Sequence, residues 1–226
     1  MNWEDEAFLL SKRKFRENAN IINIFTSTRG KISGIVYGGN SRKIRNYLQL
    51  GNKIHVIFNS KSENRIGYLK TELINPISPK YFNSNKKISC LLSITSLLNL
   101  LLPEGQSYSN IYSSTNKLIM NFDSNNWAVF YIYWELNLIK ELGFGINLKS
   151  LVKNLDSNDS LLKIKIDNDN YLVPYFLANN ELPQTISHDL VIKSLRFLRL
   201  LMSNKFFIPN NIIFPRSRIL LENYFN

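Results

Sequence analysis

From residue 29 to residue 58 the chain reads RGKISGIVYGGNSRKIRNYLQLGNKIHVIF, and the fold turns on how this stretch is read. Residues 32–37 alternate with the two-residue period of a half-buried strand. Gly38 and Gly39 break that strand, and Arg42, Lys43 and Arg45 follow within four positions. Gly51-Asn52 makes a second turn, and residues 54–58 resume an apolar run. Two strands flanking a cationic loop suit the gripping of phosphates better than the lining of a catalytic cleft.

Outward from there, strands are expected at residues 4–11, 19–26, 32–37, 54–58 and 67–74, with the basic run SKRKFRE as the first turn. Five short strands separated by Gly, Asn and basic turns predict a small closed barrel of the OB type. Closure removes the sheet edges that five open strands would expose. Pro76 and Pro79 mark the expected domain boundary, giving a barrel over 1–78 and a helical domain over 79–226. Beyond it the apolar spacing turns helical, with helices at 84–101, 109–122, 126–142, 187–204 and 216–224. A loop and short strand pair fall between the last two long helices, around 161–166 and 171–174.

Projection of the third helix covers most of its circumference with Trp127, Ala128, Val129, Ile132, Trp134, Leu136, Leu138 and Ile139, which predicts the buried centre of the second domain. Glu135 points into that apolar arc. A carboxylate there is either a catalytic acid with a raised pKa or a paired structural group, and the second is the commoner case.

Charge is unevenly distributed. The whole chain of 226 residues carries a formal +11, and residues 1–80 hold 14 Lys and Arg against 6 Asp and Glu. An excess of this size points to a polyanionic partner such as nucleic acid. Lys12, Arg13, Lys14 and Arg16, then Arg29 and Lys31, then Arg42, Lys43 and Arg45 are expected in or beside the turns, converging as a backbone-binding surface. Phe15, Tyr37 and Tyr47 are interleaved with them and could stack on bases, although for any single one of them a core position is the favoured reading. On the 187–204 helix, Lys193, Arg196 and Arg199 form a basic stripe beside apolar surface. It suits an acidic peptide ending in hydrophobic residues, or simply a solvated face.

Catalytic equipment is scarce. No Walker loop, serine elbow, HExxH or Cys-His pair is present, and Gly143-Phe144-Gly145 lacks the context of a dinucleotide fold. One cysteine, Cys90, and two histidines exclude a disulfide and a multi-cysteine zinc site, so no cofactor or metal is expected. The acids at Glu4, Asp5 and Glu6 and at Asp156, Asp159, Asp167 and Asp169 read as solvated loop groups. With no signal peptide pattern and no membrane-length apolar run, a cytoplasmic, nucleoid-associated protein is expected.

These residues carry a family resemblance. WEDEAFLLSKRKFRE, INIFTSTRGKISGIVYGG and SRKIRNYLQLGN look like the opening of the bacterial recombination mediator family RecO, while LLPEG (101–105) and YWELNLIKELGFGINL (133–148) resemble its helical half. The resemblance implies an OB-fold followed by an all-α domain with a small insert near 149–185, a zinc module in some members and degenerate here for lack of cysteines. It further implies a non-enzymatic protein of recombinational repair that binds single- and double-stranded DNA and anneals complementary strands. Acting with RecR, such a protein helps load RecA on DNA coated by single-strand-binding protein (SSB), whose acidic tail the helical domain binds. An RNA-binding barrel and a protein-interaction scaffold remain the alternatives. The sequence departs from the family's usual residues at Asn40, often Arg, and Leu50, often Pro.

Overall fold

The computed structural model describes residues 1–39, 41–61, 66–151, 161–183 and 186–226. Its contacts divide it into two compact units, residues 1–116 with 215–221 and residues 117–214 with 222–226.

The first unit is built on a closed barrel with strand order β1-β2-β3-β5-β4. The strands are β1 (Asn2–Arg16), β2 (Ala19–Thr26), β3 (Gly30–Tyr37), β4 (Lys53–Asn59) and β5 (Gly67–Asn75). Every pairing is antiparallel except β3 with β5, which meet in parallel at Gly34–Gly67 and Ile35–Tyr68. Strand β1 runs well past the expected end at residue 11. No Gly or Pro interrupts SKRKFR, so Lys12 to Arg16 continue the ladder opposite Ala19 to Ile22 and the turn falls at Glu17-Asn18. A bulge between Leu9 and Ser11 lets this one long strand serve both sides of the barrel. At the bulge, Gly51 N–H donates to the Leu9 carbonyl and Leu9 N–H to that of Asn52.

Alternation sends Ala7, Leu9, Ile22, Ile24, Val36, Ile54, Val56, Phe58 and Leu69 inward, where they form one buried cluster with Leu48. Each such side chain contributes roughly 1.5–3 kcal/mol relative to exposure, so this alternation fixes the register.

The basic loop of the sequence reading is a helix, α1 (Arg42–Tyr47). Ser41 caps it, its Oγ accepting from Ile44 N–H at 3.4 Å, and Ile44 and Tyr47, three apart on one face, pack on the barrel core. Strand β5 ends at Asn75, immediately before Pro76, as expected of the two prolines. Pro76 stands before a single turn, α2 (Ile77–Lys80), and Pro79 lies in that first turn, where a missing N–H costs little.

Helix α3 (Asn85–Leu101) is capped by Ser84 and packs on β1. Helix α4 (Ser109–Met120) brings Tyr112 against Phe8 and Phe25, at 5.2 and 5.5 Å between ring centroids.

In the second unit, α5 (Trp127–Ile139) buries Val129, Ile132, Trp134, Leu138 and Ile139, as its projection predicts. Glu135 is fully buried and accepts a short hydrogen bond from the Tyr131 hydroxyl, the structural use of a carboxylate in an apolar arc. A π turn at Lys140–Phe144 ends α5, with Gly143 at φ +92°. The hairpin β6 (Leu161–Ile166) and β7 (Asp169–Pro174) leads into a single turn, α6 (Tyr175–Ala178). Helix α7 (His188–Met202) packs against α5 and β7, with Tyr171 edge-on to Phe197 at 5.9 Å. The last helix is α8 (Arg216–Asn223). The described part of the expected 149–185 insert comprises residues 149–151, which end a 3-10 turn, then this hairpin, α6 and residues 179–183, and the zinc-module-like insert is not shown. Asp156 and Asp159 lie outside the described residues. Among those described, no group of three His, Cys, Asp or Glu side chains is placed to hold a metal, and no helix is long and apolar enough to cross a membrane.

Candidate nucleic-acid interface

Because Ile22 and Ile24 point into the barrel, their neighbours Ala19 and Ile21 point outward, as do Ile35 and Tyr37 of β3. Ala19, Ile21 and Ile35 form a small apolar cluster of their own on this outer face. The register then lays out two rows across the sheet. One runs Arg16, Ala19, Tyr37, and the other runs Arg13, Ile21, Ile35, Tyr68. The rows end in an aromatic pair: Tyr37 and Tyr68 stack with centroids 5.4 Å apart and planes 28° apart. They are 53% and 44% exposed, which leaves ring surface for a ligand. Hydrogen bonding between the two phenols pushes the Tyr37 hydroxyl above the ordinary phenol range, while Arg16 pulls it the other way. Opposite the rings stand exposed Arg13 and Arg16, the latter over the Phe15 ring at 5.2 Å.

Helix α1 joins the same end of the barrel. Gly38 N–H donates to the Asn18 carbonyl at 2.8 Å, tying the end of β3 to the β1–β2 turn, and α1 starts four residues later. Arg42, Lys43 and Arg45 are exposed on it. Five exposed cations and an aromatic pair therefore gather toward one end of the barrel. Cations for phosphates and ring faces for bases are the two general components of single-strand binding.

The remaining predicted cations behave differently. Lys12 turns toward the barrel end and donates to the Leu48 carbonyl at 2.8 Å, where α1 terminates. Partial burial and then the nearby Arg45 charge hold its ammonium below the usual lysine range. Lys31 does the same for α3, donating to the Asn99 carbonyl at 2.8 Å in the last turn. Burial lowers its pKa and the Glu104 carboxylate offsets part of that effect. Both lysines sit where the helix dipole favours a cation, and their first role is structural. Arg29 lies in the β2–β3 turn at the far end of β2, so the structure does not bring it together with Arg13, Arg16 and α1. Its guanidinium rests over the Trp3 ring at 5.1 Å.

Among the aromatic candidates, Tyr47 is half-buried and donates to the Thr71 carbonyl at 2.5 Å, a core role. Tyr68 was missed by sequence reasoning, which singled out only aromatics near basic residues; the alternation of GYLKTELI alone places it outward. Leu50 packs against the barrel core, and Asn40 lies outside the described residues.

On α7 all three cations of the basic stripe have carboxylate partners. Lys193 pairs with Asp189 at 2.7 Å, and Arg199 and Arg196 approach Glu222 at 3.0 and 3.8 Å. Glu222 is only 6% exposed.

The fold and this surface define a class: an OB-type barrel with a basic, aromatic outer face, followed in sequence by a helical region. Two family models match the chain, Recombination protein O N terminal over residues 1–77 and Recombination protein O C terminal over residues 84–161. The DNA repair protein RecO of Hyphomonas neptunium is 32% identical over 167 residues, covering 73% of this chain and 68% of that one. Those of Ehrlichia chaffeensis and Roseobacter denitrificans are 32% and 30% identical over 163 and 151 residues, covering 71% and 66% of this chain. The matched part spans 63% of the length of the Roseobacter denitrificans relative. The chain belongs to the RecO family of DNA repair and recombination proteins. A likeness to Entamoeba histolytica asparaginyl-tRNA synthetase, covering 94% of this chain and 59% of that one, has a TM-score of 0.32 at 11% identity and carries no argument.

Proposed function

We propose that this protein is a non-catalytic mediator of recombinational DNA repair. It holds single- and double-stranded DNA on its barrel, residues 1–78, anneals complementary strands and, with RecR, helps load RecA on SSB-coated DNA. Its place of action is the cytoplasm, at the nucleoid. The observation that supports this best is the outer face on which the Tyr37–Tyr68 pair meets Arg13, Arg16 and the α1 cations. Aromatic stacking there is indifferent to sequence, as annealing requires, and phosphate contacts supply affinity. An acidic, apolar SSB tail remains the proposed partner of the helical region at Lys193, Arg196 and Arg199. There it competes with Asp189 and Glu222 for the same cations, and anisotropy of a labelled tail peptide against variants at those three positions measures that competition.

Annealing of SSB-coated complementary oligonucleotides without nucleotide tests the main reading, together with DNA and RNA affinities across a salt series. Each phosphate contact to a single strand contributes about 0.7 to the slope of log K against log salt. The combined Arg42→Ala, Lys43→Ala, Arg45→Ala variant is expected to flatten that slope by about 2 and slow annealing. A strong preference for RNA, or an unchanged slope in the folded variant, overturns it.

A further inference from the structure

The register that gathers Arg13, Arg16 and the tyrosine pair at one end of β2 leaves Arg29 at the other. Seven residue steps of extended chain separate Ala19 from Thr26, which at about 3.3 Å each is roughly 23 Å. Around Arg29 the barrel opens into a cleft of about 880 Å³, lined among others by Trp3, Ile32, Phe58, Ile66 and Glu104.

This cleft is built rather than incidental. Trp3 stacks on Phe58 with centroids 4.9 Å apart and planes 15° apart, and the Arg29 guanidinium lies over the indole. The turn that carries Arg29 is pinned from beneath. Asp5 accepts from Ser27 Oγ at 2.5 Å and from Thr28 Oγ1 and N–H at 2.7 and 3.0 Å. The opposite wall is fixed by Gly105 N–H donating to the Lys31 carbonyl at 2.9 Å, which holds the Leu101 to Gly105 segment against the start of β3. Arg29 is exposed, and no carboxylate among the described residues lies within ion-pair distance of it. The same cleft is lined by exposed Glu104, by Ile32, which also packs on the barrel core, and by exposed Ile66.

A cation, apolar surface and a carboxylate lining one cleft can meet the parts of one nucleotide: its phosphate, the face of its base, and an exocyclic amine on the base edge. We propose that the Arg29–Glu104 cleft is a second binding site for single-stranded nucleic acid, adjoining the β2–β3–β5 face at Ser33 and Gly67. It prefers bases bearing an amine over thymine. The proposal rests on the reading of this chain as a nucleic-acid-binding protein and extends it: one barrel then offers two neighbouring stations for a single strand, Ile66 and Gly67 of the cleft leading directly to Tyr68.

The test uses the full chain, labelled with ¹⁵N, and tetracytidylate DNA. Amide shifts of Thr28, Arg29 and the Trp3 indole report the cleft; those of Tyr37, Gly38 and Tyr68 report the other face. Both sets are expected to move in the wild type, with separate affinities. Arg29→Ala should weaken the cleft response by tenfold or more and spare the other set. Arg29→Lys, which keeps the charge but not the planar fork, should fall between. Arg13→Ala with Arg16→Ala should do the reverse, and tetrathymidylate should move the cleft set less. Movement of the tyrosine set alone in the wild type overturns the second site. Silence in both sets instead overturns the nucleic-acid reading beneath it.

Discussion

Replacing Asp5 with alanine is expected to destabilise the barrel at neutral pH and to matter progressively less in acid. The carboxylate accepts three hydrogen bonds from the β2–β3 turn, from Ser27 Oγ, Thr28 Oγ1 and Thr28 N–H, and a fourth from Glu6 N–H at 2.7 Å. Partial burial pushes its pKa up, but the hydrogen bonds from Ser27 and Thr28 outweigh that and leave it below the usual aspartate value. A hydrogen bond to a charged group is worth roughly 1.5–3 kcal/mol when sheltered. Here the side chain is half-buried and water competes, so the three turn contacts together are discounted to about 2 kcal/mol. Because the folded pKa is depressed, this stabilisation is present in full above the unfolded value near 3.9 and is lost as pH falls through the folded value. Urea unfolding followed through barrel amides at pH 7 and again near pH 2.5 measures it. With a slope of about 2 kcal/mol per molar urea, the Asp5→Ala midpoint should lie about 1 M lower at pH 7. The gap should close toward pH 2.5. A gap that persists unchanged in acid, or none at pH 7, refutes the account, since either outcome shows that the charge is not what holds the turn.

Gly30→Ala should cost more than about 2 kcal/mol, read as a lowered thermal midpoint, because Gly30 sits at φ +73° and an added Cβ would meet the Gln106 carbonyl oxygen at 1.7 Å. Tyr68→Ala should weaken single-strand binding by about 1–3 kcal/mol in fluorescence titrations with little change in melting, as one ring of the stacking pair is lost. Glu222→Gln removes the buried partner of Arg199 and Arg196. Its cost should be about 1–3 kcal/mol in urea denaturation, the two arginines being partly solvated; an unchanged midpoint would show the pair to be idle.

The barrel was legible because short apolar strands recur between turns: KIHVIF alternates cleanly, ANIINIFT is apolar on both faces, and glycine turns separate them. Helices α3, α5 and α7 were legible from their apolar spacing. The basic segments were misread for two different physical reasons. Lys12 to Arg16 look like a turn by composition, yet strand pairing is indifferent to charge when side chains reach solvent, and only Glu17-Asn18 has turn chemistry. Residues 42–47 look like a loop because the helix is too short to show a period; its Ser41 cap was the available signal. The grouping of cations was illegible in principle. Charge counting finds Lys12, Lys31 and Arg29 as readily as Arg16, but only register shows that the first two close helix ends and the third faces the other way. Tyr68 follows the same rule, since the parallel contact of β3 with β5 joins residues more than thirty positions apart.

That contact has a bearing on how the barrel breathes. β3 and β5 share only the Gly34–Gly67 and Ile35–Tyr68 pairs, the shortest ladder in the sheet, and closure leaves no room for a side chain at Gly67, where a Cβ would fall 2.2 Å from the Phe58 ring. Local opening in a closed sheet starts where the fewest bonds must break. Tyr37 and Tyr68 stand on either side of this seam, so a base stacked across both rings also bolts the zipper shut. Nucleic acid would then slow amide exchange along β5 ahead of the other strands, and the sheet's weakest stitch would double as a sensor of whether the face is occupied.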